Sequence, residues 1–429
     1  MAVKTGRVAK ASKTDGWPFF VLLAFYVFEY LRPQESYTSF IAPLSLPAIL
    51  NMVLIFVVLK SPKANLNNQI VKFVFLFYAQ IFLFVPFATN NYAAYQVALT
   101  LGLTLVSVAA TIIVLDSRDK LRIFVNVWII TNTLSAIWII THGGKGPGGF
   151  LIDENDACAM MNTALPFSLY FGLKDKNRRI RLLSAVSIPI FLTAIVMTSS
   201  RGGFIGFVAV GALVLFLSKR RWRNIFLAAT FAFIAGNVVL AILPDGYVRE
   251  MQSIENTQDG TANLRLLHWT TGIEVFKENP IFGVGPNNYP WTSFEYFHLS
   301  PYFVEGSRNR AGRQAHSLYF TLIPELGLLG IFVFLSFITL FYKNLFKIRT
   351  KFKNDSENSD YFGLANALIV GMSGFLISGV FISVLYYPIM WHLLAMAVVL
   401  INVALRAGLD QSKATRKKLR TLRKVTSGQ

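Results

Sequence analysis

The chain has 429 residues, of which 54% are hydrophobic and 15% are charged. A soluble protein of this size usually has about a quarter charged residues, so the composition argues against a soluble domain and favours an integral membrane protein. The formal net charge of +19 reflects basic residues placed around a membrane rather than nucleic acid binding. The single cysteine, Cys158, excludes an internal disulfide.

Apolar segments long enough to cross a bilayer core of about 30 Å recur along the chain. They predict an all-α polytopic membrane protein with about twelve transmembrane helices. The predicted spans are 17–31, 42–59, 70–87, 93–115, 121–141, 155–173, 181–198, 203–218, 225–243, 315–342, 361–385 and 387–406. The basic N-terminal stretch lacks a small-residue cleavage site after the first span, which predicts that this helix is retained.

Lysine and arginine set the predicted orientation, because they accumulate in the cytoplasmic loops of membrane proteins. With both termini cytoplasmic, 32 of the 41 basic residues fall on the cytoplasmic side, and the alternation holds at every loop. The other nine are Arg32, Lys145, Arg201, Arg249, Arg265, Lys277, Arg308, Arg310 and Arg313. This orientation divides the chain into spans one to nine (1–243), an outer loop domain (244–314), spans ten to twelve (315–406) and a basic cytoplasmic tail (407–429).

The outer loop domain is predicted to be partly helical. Residues 261–280 begin with a Thr that can cap a helix, carry apolar residues at helical spacing, and stop at Asn279–Pro280. Arg265, His268 and Trp269 fall on one side of that helix. A helix lying at the lipid headgroups and a catalytic role for His268 both agree with this pattern.

Six of the nine outer basic residues lie in segment 244–314, against the topology rule. Arginine binds phosphate oxygens through two parallel N–H donors, and histidine takes a proton from a hydroxyl near neutral pH. Arg308, Arg310 and Arg313 precede predicted span ten, and His316 lies at its outer end. Together they suit sugar transfer from a lipid-linked diphosphate. Interfacial anchoring by snorkelling is the alternative for each single arginine.

Three segments carry a family resemblance. TSSRGGF (198–204), ENPIFGVGPNNY (278–289) and AHSLYFTLIPELGLLG (315–330) resemble, in this order, the signature segments of the bacterial O-antigen ligase and polymerase superfamily. The resemblance implies a GT-C-type glycosyltransferase in the bacterial inner membrane, with the active site and the large loop facing the periplasm. It also implies an undecaprenyl-diphosphate glycan as the donor.

The resemblance further implies roles for single residues. His316 is the catalytic base that acts on the acceptor, and Arg201 and Arg265 bind the diphosphate, assisted by Arg313 or Arg310. The residues that would support this site are His268 and, in the Arg-Gly-Gly turn, Gly202 and Gly203.

Glu325 lies inside predicted span ten, where a carboxylate is costly unless it is paired. It is expected either to hold His316 or an arginine indirectly or to bond to a neighbouring helix. The remaining polar residues near the last span, Tyr386, Tyr387, Trp391 and His392, are expected to form an interfacial belt.

Asp153, Glu154 and Asp156 open predicted span six on the outer side. Outer carboxylates hold a divalent metal in many GT-C enzymes, but acidic residues also cap helix N-termini. Because the arginines supply positive charge, we expect no metal and no cofactor. Replacing Asp153 and Asp156 is then expected to leave transfer largely intact.

The expected reaction is O-antigen ligation to lipid A core. Polymerisation of a polysaccharide and ligation to a protein hydroxyl are alternatives within the same superfamily. A lipid or polysaccharide transporter or flippase is a third class, but the predicted spans have almost no charge at the bilayer midplane, where transporters place it. The expected partners are the lipid-linked donor, the glycan or protein acceptor and the bilayer, with no nucleic acid.

Overall fold

The computed structural model describes residues 16–36, 45–62, 64–218, 222–223, 260–305 and 312–426. All regular structure in these ranges is helical. The α-helices are α1 (Trp17–Tyr30), α2 (Pro33–Ser36), α3 (Leu46–Lys60), α4 (Gln69–Phe84), α5 (Asn91–Val114), α6 (Arg118–Thr141), α7 (Glu154–Tyr170), α8 (Arg178–Met197), α9 (Arg201–Leu217), α10 (Gly260–Glu278), α11 (Tyr289–Thr292), α12 (Leu318–Lys351), α13 (Ser359–Ser378) and α14 (Pro388–Thr426).

Seven of these helices are long and apolar enough to cross a membrane: α4 with its 3₁₀ extension to Phe87, α5, α6, α8, α12, α13 and the first part of α14 (Pro388–Ala407). Three shorter helices, α1, α3 and α9, are also apolar. Predicted span six is the 17-residue helix α7, which belongs to neither group, and predicted span nine, 225–243, lies outside the described residues. The all-helical polytopic membrane class is thus confirmed, while the number twelve stays a prediction.

Short polar side chains start many of these helices. Asn68, Asn90, Asp153, Ser200 and Ser317 each occupy the N-cap and accept a hydrogen bond from a backbone N–H of the first turn. Such a cap satisfies one of the four N–H groups that have no partner inside the helix. The sequence therefore places polar residues between apolar segments where the chain turns back into the bundle.

Helices α13 and α14 form the centre of the bundle. Helix α13 packs against α7, α9 and α12, and α14 packs against α5. The outward faces of the surrounding helices expose large apolar side chains, including Phe56, Phe75, Leu182, Val208 and Phe216. A surface of this kind is unfavourable in water and suits lipid, because lipid leaves apolar side chains without a cost of hydration.

Helix α12 is broken one third of the way along. Gly327 has φ 61° and ψ −163°, and the segment 280–285 fits into the break. The backbone N–H groups of Val284 and Gly285 donate to the carbonyls of Pro324 and Glu325 at 2.9 and 3.0 Å. A Cβ on Gly327 would lie 2.5 Å from the Ile281 carbonyl oxygen, so glycine is required both by conformation and by space.

Two expectations about the last helices are wrong. Predicted span eleven runs to 385, but α13 ends at Ser378 and the chain crosses to α14 without regular structure. Trp391 and His392 do not form an interfacial belt, since they are 1% and 0% exposed. His392 instead lies between the Tyr30 and Ser107 hydroxyls at 2.7 and 2.8 Å, because buried polar groups need hydrogen-bond partners.

At the end of the bundle where α6 begins and α7 ends, arginines are paired with carboxylates. We call this the basic end and define it by Arg118, Arg122 and Arg349. Arg118 donates two hydrogen bonds to Asp360 at 2.6 and 2.7 Å, and Arg122 forms a salt bridge with Asp175. Burial alone would raise the pKa of Asp175, but the hydrogen bonds from Arg122 outweigh it and lower that pKa.

Candidate active site

A cavity of about 860 Å³ opens at the other end of the bundle. It lies between α1, α5, α7, α10, the turn before α12 and the non-helical segment that joins α13 to α14. Four of the residues expected in the site line it: Arg265, His268, Arg313 and His316. These residues are up to 51 positions apart in sequence, so the fold and not the sequence spacing brings them together.

Helix α10 is fixed against the turn that carries His316. The Trp269 indole N–H donates to the Ala315 carbonyl at 3.1 Å, and the Trp269 ring stacks on Phe320 at 5.0 Å between centroids. Arg265 lies one helical turn before Trp269, with its guanidinium 5.9 Å from the centre of the Phe381 ring. Arg265 is therefore positioned at the cavity by the contact of its guanidinium with the Phe381 ring, and not by a salt bridge to a carboxylate.

His316 lies at the entrance to α12. Its φ of 48° is in the left-handed region, and Ser317 caps the helix that follows. Partial burial and the positive charges of Arg265 and Arg313 lower the pKa of His316, against the opposing effect of Asp153. The imidazole is therefore neutral near pH 7, which is the form that accepts a proton.

His268 is buried on the inner side of α10, with 1% of its surface exposed. Its Nδ1 lies 3.0 Å from the Tyr289 hydroxyl, which also donates to the His268 carbonyl at 2.7 Å. The ring packs edge-on against Phe297. His268 thus joins α10 to the following loop while reaching the cavity wall, and the lipid-surface interpretation of this side of α10 is wrong.

Glu325 lies just before the break in α12 and is completely buried. Its carboxylate accepts hydrogen bonds from the Asn287 and Tyr289 backbone N–H groups at 2.7 and 3.3 Å and from the Tyr386 hydroxyl at 2.7 Å. The Gln314 side chain in turn donates to Asn287 Oδ1 at 2.8 Å. Glu325 therefore holds the turn after segment 280–285, and that turn holds the residue next to Arg313.

The Arg-Gly-Gly turn lies near the cavity but does not line it. Arg201 is exposed at the first position of α9 and does not line the cavity. Gly202 and Gly203 are buried, and a Cβ on them would lie 2.7 Å from Phe381 Cβ and 2.3 Å from Cys158 Sγ. Gly202 allows α9 to approach the phenylalanine over which Arg265 lies, and Gly203 allows it to approach Cys158 in α7. Arg310, like Arg308, is outside the described residues.

The part of the cavity lined by α7 and the end of α1 carries carboxylates, and we call it the acidic wall. Asp153 and Asp156 at the start of α7 and Glu29 at the end of α1 all line the cavity. Asp153 caps α7 by accepting the Asn155 N–H at 2.8 Å, so the capping interpretation is correct for this residue. Glu154 does not line the cavity. Asp156 does line it, and the expectation that replacing Asp153 and Asp156 leaves transfer largely intact stays a prediction.

Sequence reasoning did not place Arg32 or Glu29 in this site. Arg32 lines the cavity, but it is paired with Glu35 at 2.7 Å and lies 3.8 Å from Glu29. Arg32 is one of the nine basic residues predicted on the outer side, and this position was the sequence signal that could have placed it near the site. Asn287 and Tyr386 were missed because only the broken helix and the unwound segment after α13 bring them to Glu325.

No group of three or more His, Cys, Asp or Glu side chains suited to a metal ion occurs in the part of the chain that the structure describes. The polar lining of the cavity combines two arginines and a neutral histidine with carboxylates. The first set can bind a diphosphate and accept a proton from a hydroxyl.

An apolar helical bundle with a polar cavity at one end defines the class of polytopic helical membrane proteins. Residues 160–335 match the sequence model of the family described as O-Antigen ligase. The resemblance to the O-antigen ligase superfamily is thereby confirmed over residues 160–335. All three signature segments lie within the matched residues, whereas Asp153, Asp156 and the whole of α1 lie before them. No curated protein matches the sequence.

Proposed function

We propose that the protein is a GT-C-type glycosyltransferase that moves a glycan from undecaprenyl diphosphate to an acceptor hydroxyl, with O-antigen ligation to lipid A core as the reaction. The observation that carries this proposal is the cavity in which Arg265, Arg313 and a neutral His316 meet. The family domain over residues 160–335 supports the same class of reaction.

In the proposed step, the acceptor oxygen forms a bond to the anomeric carbon of the donor sugar. The bond between that carbon and the phosphate oxygen breaks, and its electron pair leaves with undecaprenyl diphosphate. His316 takes the acceptor proton, while Arg265 and Arg313 bind the charge that grows on the departing diphosphate. Arg201, exposed at the start of α9, would bind the diphosphate as it enters from the membrane surface.

The cavity would face the periplasm of a bacterial inner membrane, with both termini in the cytoplasm. The distribution of basic residues supports this orientation. A cysteine at exposed Glu305 in a Cys158→Ala background tests it, because an impermeant thiol reagent would label it in intact spheroplasts. Labelling that appears only after lysis would reverse the orientation.

The reaction is tested with purified protein in nanodiscs, an undecaprenyl-diphosphate glycan and each acceptor in turn. Transfer to lipid A core supports ligation, whereas transfer to a second lipid-linked glycan or to a protein hydroxyl assigns the polymerase or protein-ligase alternative. The same assay with excess chelator tests metal independence, since lost activity that magnesium or manganese restores would require a cation. An absence of transfer to every acceptor would end the glycosyltransferase proposal.

A further inference from the structure

The acidic wall of the cavity contains a carboxylate that the fold leaves unused. Asp156 is 9% exposed, so nine-tenths of it is buried, and it lines the cavity. Within the residues that the structure describes, its carboxylate has neither a hydrogen bond nor an ion pair, and its charged neighbour is another carboxylate, Asp153. Burying such a group without a partner is unfavourable, which is typical of a binding site that is completed by its ligand.

The surroundings of Asp156 indicate the chemistry of that ligand. Tyr387 lies within electrostatic reach of both Asp153 and Asp156, and Phe150 packs against Tyr387 with ring centroids 5.8 Å apart. Both rings line the cavity. Carboxylate oxygens accept hydrogen bonds from hydroxyls, and aromatic rings cover the apolar C–H faces of sugar rings. A carboxylate beside aromatic rings is therefore suited to a sugar.

The charges that line the cavity indicate where the donor and the acceptor bind. A diphosphate is attracted by Arg265 and Arg313 and repelled by the Asp153 carboxylate, so the donor phosphates belong beside the arginines. Arg32, which also lines the cavity, is already paired with Glu35. A sugar with a phosphate or carboxylate group at the accepting ring would place negative charge against the Asp153 carboxylate and into the buried surroundings of Asp156.

We propose that Asp156, with Tyr387 and Phe150, forms the acceptor subsite and selects a neutral sugar ring as the acceptor. This inference rests on the proposed glycosyl transfer and adds the class of acceptor to it. A second hydroxyl of the acceptor ring donates to Asp156, while the reacting hydroxyl presents its proton to His316. Asp156 touches the acceptor and determines specificity, and His316 remains the base.

The test compares Asp156→Asn with Glu154→Gln. The two carboxylates lie two positions apart at the start of α7, and only Asp156 lines the cavity. In full-length protein in nanodiscs, Asp156→Asn should raise the acceptor KM at least about tenfold and change the Kd of undecaprenyl diphosphate less than about twofold. Glu154→Gln should change neither. An unchanged acceptor KM in Asp156→Asn would overturn the subsite.

A second measurement does not depend on transfer. Saturation-transfer NMR of wild-type protein saturated with undecaprenyl diphosphate, which occupies the arginines, should show contacts to glucose and N-acetylglucosamine but not to glucose 6-phosphate, and Asp156→Asn should lose the contacts to the neutral sugars. Equal signals in wild-type and Asp156→Asn protein, or equal signals from glucose and its phosphate, would refute the proposal. If wild-type protein binds neutral sugars through Asp156 but transfers no glycan, the proposed reaction fails and the sugar subsite stands.

Thermal unfolding separates this role from a structural one. Because the Asp156 carboxylate has no partner in the protein, Asp156→Asn should unfold at the same temperature as wild type or a higher one. A lower unfolding temperature would mean that the carboxylate stabilises the fold, and the assignment to ligand binding would be wrong.

Discussion

The two ends of the bundle use arginine in opposite ways. At the basic end, Arg118 and Arg122 are bonded to Asp360 and Asp175, and Arg349 donates to the Asn366 side chain and the Leu217 carbonyl. At the cavity end, Arg265 and Arg313 have no carboxylate partner within the residues that the structure describes. The fold satisfies the charge at one end and leaves it available at the other.

The contrast shows that position alone does not mark a functional arginine. Arg32 lies at the cavity end, yet it is paired with Glu35 like the arginines of the basic end. A charge that the protein itself balances holds helices together, whereas an unbalanced charge at a cavity is available to a ligand. Asp156 is the acidic counterpart of Arg265 under the same criterion.

The largest expected effect is that of His316→Ala. Loss of a general base lowers turnover roughly 10²- to 10⁴-fold, while the arginines still bind the donor. Steady-state transfer and binding of undecaprenyl diphosphate by the same purified variant measure the two quantities. Turnover close to wild type in a stable His316→Ala protein would remove His316 from the base role.

A pair of substitutions tests the comparison of the two ends directly. Arg265→Gln should weaken donor binding roughly 10- to 100-fold, because it removes a charged hydrogen bond, with little change in thermal unfolding. Arg122→Gln should instead lower the free energy of unfolding by about 1–3 kcal/mol, because the Asp175 side chain is only 2% exposed and loses its partner. If Arg122→Gln weakens donor binding as much as Arg265→Gln, the two ends do not differ in function.

Glu325→Gln should lower kcat roughly tenfold with a smaller change in donor Kd. The Gln amide places its own N–H group against the backbone N–H and hydroxyl donors that bond to the Glu325 carboxylate, so the turn at Asn287 shifts. Small displacements near reacting groups reduce rates strongly. Tyr386→Phe is the matched control, since it removes one of the three hydrogen bonds and leaves both backbone bonds in place. An effect of Tyr386→Phe equal to that of Glu325→Gln would place the function in Tyr386 itself.

The smallest expected effect is a shift in the pH profile. Arg313 lowers the pKa of His316 and Asp153 raises it, so Arg313→Gln should move the acidic limb of kcat/KM to higher pH and Asp153→Asn should move it to lower pH. The sign follows because the base acts in its neutral form, and activity is lost as pH falls through its pKa. Shifts in the same direction for both variants would show that another group controls this limb.

Local sequence signals predicted much of the fold. The length of the apolar segments predicted the seven long and the three shorter apolar helices of the described residues. Capping residues marked where many of these helices start. The end of α13 was missed by several residues, because segment 379–387 is apolar enough to continue a span but unwinds to line the cavity. Hydropathy does not distinguish burial in lipid from burial against protein.

The sequence by itself determined the membrane class, the family resemblance and the candidate arginines and histidine, because these depend on residue type, apolar length and short motifs. Only the tertiary structure decided which charges are balanced. It paired Arg32 with Glu35, left Asp156 without a partner, and connected Glu325 to Asn287 through the break at Gly327. These relations join distant parts of the chain, and the interaction between two charges depends on their separation in space and their burial, which sequence spacing does not give.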